Sequence, residues 1–185
     1  PIRSDGGLEP LIQLIKLEGE GGPHAKEQSS SHPHEIAYDR TGSVLMVPDK
    51  GVDRVFAFAF DSAKGALVSA EPAFVTTRPG AGPRHIVHAP SGRLAYVNYE
   101  LDSSVAAYRV DPEKNSLSPF QVIPSTPDTF TGANTSSEID CSADGRFIYV
   151  SNRGHDSIGV FAIDPASGRL SPVEWISSQG KGPRF

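Results

Sequence analysis

The chain has 185 residues, a net charge of −5, and 37% hydrophobic and 21% charged residues, which suits a single domain with its own core. No basic stripe and no apolar run of membrane-spanning length is present, which argues against nucleic acid and membrane as partners. The single cysteine, Cys141, excludes an intrachain disulfide framework, and 18 glycines with 16 prolines require many turns.

In chain order, the first element is "GGLEPLIQLIKLEG" from Gly6, which reads as the last strand of a repeated unit. A Gly/Ser-rich connection carrying His24 and His32 completes residues 1–33. Together with His34 these histidines lack a matched acid cluster, so no metal site is expected. "GEGGP" is too short and wrongly placed for a phosphate loop.

From Glu35 the chain repeats. "EIAYDRTGSVLMVPDKGVDRVFAFAFD" from Glu35, "HIVHAPSGRLAYVNYELDSSVAAYRVD" from His85 and "EIDCSADGRFIYVSNRGHDSIGVFAID" from Glu138 align without a gap over 27 positions. Each predicts a short first strand, a turn at Gly42, Gly92 or Gly145, and a second strand ending near Val47, Val97 or Val150. After a polar loop, a third strand ends at Asp61, Asp111 or Asp164, and a tight turn ("SAKGAL", "PEKNSL", "PASGRL") leads to a fourth. Cys141 falls in an alternating strand pattern, which predicts a buried, inert thiol.

Four short strands at a period of 50 and then 53 residues are the signature of a β-propeller blade. The fold class is all-β: a propeller of four-stranded antiparallel blades, here one partial domain over residues 1–185. Whole blades cover 34–83, 84–136 and 137–182, and 183–185 begin another. One blade cannot bury its own apolar faces. The end blades should therefore expose apolar edges that further blades, or another copy of the chain, would cover.

Alternation places the 1–2 and 3–4 turns on one rim and the 2–3 loops and 4–1 connections on the other. The first set is uniform. From the Leu opening strand four to the next first strand, the second set takes 27, 18, 21 and 15 steps (Leu8–Glu35, Leu67–His85, Leu117–Glu138, Leu170–Phe185). Length variation confined to one rim marks it as the binding rim.

The residues of that rim also stop repeating. His34, Arg84, Ser137 and Arg184 precede strand one, and Lys50, Glu100 and Arg153 occupy the centre of the 2–3 loop. Strand one is innermost, so these positions should converge near the propeller axis. Because they sit at loop ends, replacing them should leave folding largely intact. Asp156, in the register of Asp53, reads as a loop brace.

"SHPHEIAYDRTG", "VPDKGVDRVF", "GAGPRHIV", "YVNYELDSSVAAY", "FTGANTSSEI" and "YVSNRGHDSIGVFAIDP" resemble the β-propeller lactonase family, which includes bacterial 6-phosphogluconolactonases and the fungal carboxy-cis,cis-muconate lactonizing enzyme. The resemblance implies a seven-bladed propeller with no obligatory cofactor. It also implies a catalytic set of a His, two Arg and a Glu, which by motif fall on His34 in "HPH", Arg84 in "GPRH", Glu100 in "NYE" and Arg153 in "SNRGHDS". Lys50, Asn134, Glu138, His155 and Arg184 are the candidates for substrate binding.

The expected activity is hydrolysis of a sugar lactone such as 6-phosphogluconolactone by water attack at the carbonyl. His34 or Glu100 would act as base, with arginines for the oxyanion or for an anionic group. The alternatives are lactonization of a muconate-type dicarboxylate and a non-catalytic binding propeller, for which Phe130 is the one obvious aromatic on that rim. A cytoplasmic protein is expected. The N-terminus, which lacks Met, leaves a periplasmic or secreted one open.

Overall fold

The computed structural model describes residues 1–111 and 113–185. Among them there is no α-helix, and hence none long and apolar enough to cross a membrane. Three four-stranded antiparallel sheets follow one another. The first is β1 (Ala37–Tyr38), β2 (Val44–Asp49), β3 (Arg54–Asp61) and β4 (Ala66–Thr76). The second is β5 (Pro83–His88), β6 (Leu94–Tyr99), β7 (Ser104–Asp111) and β8 (Ser116–Pro124). The third is β9 (Thr135–Cys141), β10 (Phe147–Arg153), β11 (Ser157–Ile163) and β12 (Leu170–Ser177).

The second strands are mostly buried on both faces because each blade lies between neighbours. In β2, Val44 and Met46 join the second blade's Ile86, Val97 and Tyr99 in one core, while Leu45 and Val47 face Ile15 and Leu17 of the N-terminal segment. Tyr96, Val105 and Ala107 of the second blade pack in turn on Ile139, Ile148 and Phe161 of the third. Period-2 alternation thus assigns each residue to one of two interblade cores.

The repeat extends into the first residues. The 3–4 turns place Gly65, Asn115 and Gly168 at φ 61°, 52° and 75°, and Gly6 sits in the same register at φ 83°, closing an Ile2–Leu8 bridge. The Gln13 side chain bonds both Leu67 N–H and Leu67 C=O at 2.8 and 2.9 Å. Gln121 does the same to Leu170 at 2.7 and 2.9 Å. The N-terminal segment therefore lies against the first blade as β8 lies against the third.

Several expectations need correction. Residues 9–33 form no strand, since no third strand of their own blade is there to pair with them. β1 is only two residues long, while β5 and β9 start earlier than the repeat suggests. Cys141 is half-buried rather than buried; burial first, and then Asp140 and Asp144, raise its pKa, which keeps it a thiol. Ile2, Leu8, Leu11, Ile12, Leu14 and Ile36 stand exposed along the N-terminal edge. A cavity of about 370 Å³ lined by Ile15, Leu17, Leu45, Val47, Phe58 and His34, among others, separates that segment from the first blade. It is an apolar gap between blades, and Arg84, Glu100 and Arg153 do not line it.

Candidate functional site

Backbone bonds gather the variable rim. Glu100, just beyond β6, donates its N–H to Gly82 C=O at 2.8 Å and accepts from Ser136 N–H at 3.3 Å. It thereby ties the strand carrying Arg84 to the strand carrying Glu138. In the first blade His34 N–H bonds Pro48 C=O at 2.9 Å and Lys50 N–H bonds His32 C=O at 3.0 Å.

Carboxylates fix the approaches. Asp53, held at φ 52°, accepts Gly80 N–H and Gly82 N–H at 2.7 and 2.8 Å, setting the turn that delivers Arg84. Asp156, at φ 54°, does the same for Gly182 N–H at 2.8 Å, so it braces the loop leading to Arg184. Asp49 accepts Ser31 Oγ–H, His32 N–H and Gly51 N–H at 2.5, 2.7 and 2.9 Å.

A register shift between Pro83 and His85 then aims the side chains. In a regular strand Arg84 and His85 would point to opposite faces; the bulge brings both into one cluster. Arg84 Nη1 lies 3.2 Å from His85 Nε2 and also donates to Ser137 C=O.

Glu100 is the hub. It is 7% exposed, with Arg84 Nε at 2.9 Å, Arg153 Nη2 at 3.1 Å and Lys50 Nζ at 3.5 Å. Lys50 is shared with Glu27 at 2.6 Å. Burial alone would raise the Glu100 pKa; Lys50, Arg153 and Arg84 outweigh it and hold the group below the usual range. Arg84 Nε, Arg153 Nε and Glu100 Oε2 are buried without an aligned hydrogen-bond partner among the described residues. Native structures tolerate few such atoms, and each one asks for a physical explanation. Arg84 Nε and Glu100 Oε2 face each other in the 2.9 Å ion pair, which leaves Arg153 Nε as the one of the three outside it.

His34 stands beside this hub. Its Nδ1 is 3.1 Å from His85 Nε2, and His85 Nδ1 is 2.7 Å from Glu138 Oε1. Burial foremost, then the charge of Arg84 and the neighbouring His85, lowers the His34 pKa to about 4, so the ring is neutral at pH 7. Sequence reasoning missed His85, because simple alternation puts it on the face opposite Arg84. It missed Glu27 and Glu35 as well. Glu35 accepts Ile86 N–H at 2.6 Å, and burial raises its pKa.

The structure therefore brings together His34, Lys50, Arg84, Glu100, Glu138 and Arg153. It does not bring Asn134 and His155 into that group. Asn134 bonds Ser103 Oγ, Asn152 Oδ1 and His155 N–H at 3.0, 3.2 and 3.1 Å. His155 Nδ1 pairs with Ser157 Oγ at 2.7 Å, and its ring meets half-buried Phe130 edge-on. Both brace the loop below Arg153. Arg184 is exposed at the rim, and its charge bears on Arg84. His24 and His32 are engaged within their own connection, His32 Nδ1 with Glu27 C=O at 2.7 Å. Arg84, at 1% exposure, is an internal residue, so the expectation that site substitutions spare the fold does not hold for it.

A family model described as "Lactonase, 7-bladed beta-propeller" matches residues 1–185. A 6-phosphogluconolactonase of Bacillus subtilis (strain 168) is 36% identical over 184 residues, covering 100% of this chain and 51% of that protein. A 6-phosphogluconolactonase of Yersinia pestis (strain Pestoides F) is 34% identical over 131 residues, covering 71% of this chain and 39% of that protein. Among solved structures, the periplasmic gluconolactonase PpgL of Pseudomonas aeruginosa superposes with a TM-score of 0.90 at 37% identity, covering 100% of this chain and 51% of its own. A Lactobacillus plantarum protein gives a TM-score of 0.92 at 34% identity, covering 100% and 52%. The chain spans about half the length of the first of these relatives.

Proposed function

The chain belongs to the seven-bladed β-propeller lactonase family, and we propose that these blades carry the reaction centre of a sugar-lactone hydrolase. The observation that carries this reading is the buried Glu100, with two arginines and a lysine drawn around it. A buried ion cluster is a poor source of stability, because desolvation offsets the Coulomb gain. Its value lies in fixed positive charge where an oxyanion develops.

In this reading His34 is the base. Glu100 is held by three cations within 3.5 Å, which occupy its oxygens. Among the described residues no hydrogen bond is made to His34 Nε2, and the ring is only half-buried. His34 takes a proton from water as the water oxygen bonds to the lactone carbonyl carbon. Arg84 and Arg153 hold the resulting oxyanion or an anionic group on the sugar. The ring C–O bond then breaks, and the proton passes from His34 to the departing alkoxide. An anionic substrate group at the arginines offsets one of the charges that depress the His34 pKa, raising its basicity on binding.

The same arginine pair suits a dicarboxylate, which keeps muconate lactonization as the second reading. Acid release from gluconolactone and 6-phosphogluconolactone, measured beside ultraviolet loss of a carboxymuconate, separates the two. Turnover of a sugar lactone with no muconate cyclization is expected; the reverse result overturns the reading. Further blades, or a second copy, cover the exposed N-terminal edge, and sedimentation distinguishes these. A cytoplasmic location is part of the reading, to be tested by fractionation, since the Pseudomonas relative is named periplasmic.

A further inference from the structure

We infer that Glu138 and His85 are positioning residues for His34, forming a hydrogen-bonded relay across three blades that fixes which nitrogen of His34 carries the lone pair. The inference rests on the reading of His34 as the base.

The relay is built from a single register of the repeat. Glu35, His85 and Glu138 are equivalent positions, one step beyond His34, Arg84 and Ser137. The third blade supplies Glu138, whose Oε1 is 2.7 Å from His85 Nδ1. The second supplies His85, whose Nε2 is 3.1 Å from His34 Nδ1 on the first.

Donor and acceptor chemistry sets the proton positions. Burial alone would raise the Glu138 pKa, but the bonds from His85 and from Ile139 N–H outweigh it, so the group is a carboxylate and can only accept. His85 Nδ1 must therefore carry a proton. Arg84 Nη1, a pure donor, lies 3.2 Å from His85 Nε2 and 3.4 Å from His85 Nδ1, so it offers no acceptor to a proton on Nε2. The His85 tautomer that fits these partners carries its proton on Nδ1 and leaves Nε2 as acceptor. His34 must donate to it through Nδ1–H, which leaves the His34 lone pair on Nε2, the nitrogen without a protein partner.

The surroundings hold this order. Glu35 faces His85 from the first blade but is engaged with Ile86 N–H at 2.6 Å. The Phe185 ring approaches His85 to 6.5 Å from the far side. Lys50, Arg84 and Glu100 are the charged groups facing His34. A carboxylate that orients one imidazole so that it orients another is the logic by which buried acids fix histidine tautomers.

The test has two arms on the 185-residue chain. Long-range ¹H–¹⁵N spectra at pH 7 should show both His34 and His85 as Nδ1–H tautomers, and Glu138→Gln should give a tautomer mixture at His85. An Nε2–H tautomer on either residue in the unaltered chain overturns the relay. On the best lactone, Glu138→Gln should lower kcat roughly 10²-fold, a part of what a general base contributes, with KM within about twofold. An unchanged kcat overturns the positioning role even if the tautomers are as stated. If the unaltered chain, which spans about half of its relatives' length, turns over no lactone, the spectra alone decide the relay.

Discussion

The two rims of the propeller use the same residue types to opposite ends. On the rim of the 1–2 and 3–4 turns, each carboxylate closes its own turn. Asp39 accepts Ser43 N–H and Val44 N–H at 2.9 Å each, Asp61 accepts Ala63 and Lys64 at 3.0 and 3.1 Å, and Asp164 accepts Ser167 at 2.7 Å. On the other rim, partners are distant in sequence and belong to different blades: Arg153 with Glu100, His34 with His85, His85 with Glu138. The carboxylates of the first rim are satisfied locally, so its turns can repeat. The second is assembled between blades, so each blade contributes a different residue.

The contrast is broken most severely at Arg84. Arg84→Ala leaves Glu100 buried with only Lys50 and Arg153, and should cost about 3 kcal/mol in chemical denaturation, the lower end of the range for opening a buried pair. Lactone turnover should fall with it. Arg153 is less enclosed, so Arg153→Ala separates function from folding. Its kcat should drop roughly 10²–10³-fold, the scale of one lost oxyanion stabiliser, with a smaller stability loss than that of Arg84→Ala. Equal damage to stability in the two variants would erase the distinction.

Acid sharpens the comparison further. The folded pKa of His34, about 4, lies below the unfolded value of 6.5, so the unfolded chain binds more protons between these values. That contribution is complete above about pH 6.5 and is lost as pH falls toward about 4. Glu100, also depressed, adds a loss at lower pH. The urea midpoint should fall from pH 7 to pH 4.5, and less so in His34→Gln. The smallest effect belongs to the uniform rim: Asp39→Ala should cost about 1 kcal/mol, the worth of a local hydrogen bond, with lactone turnover unchanged.

The blade repeat, its turns and the variable rim were legible because each depends on residues close in sequence: period-2 alternation, and Gly or Asn at the positive-φ turn positions. Register equivalence also picked out His34, Lys50, Arg84, Glu100 and Arg153, since a scaffold position that changes residue type from blade to blade is visible in one chain. Tertiary structure decided the rest. The bulge at Arg84 turned His85 into the cluster, a change of side-chain direction that no alternation pattern encodes. The packing of three blades made Glu100 the hub and drew Glu138 onto His85, while Asn134 and His155 went to loop bracing. Hydrogen bonds between residues about fifty positions apart depend on how neighbouring sheets stack, and only the stacked blades fix that distance.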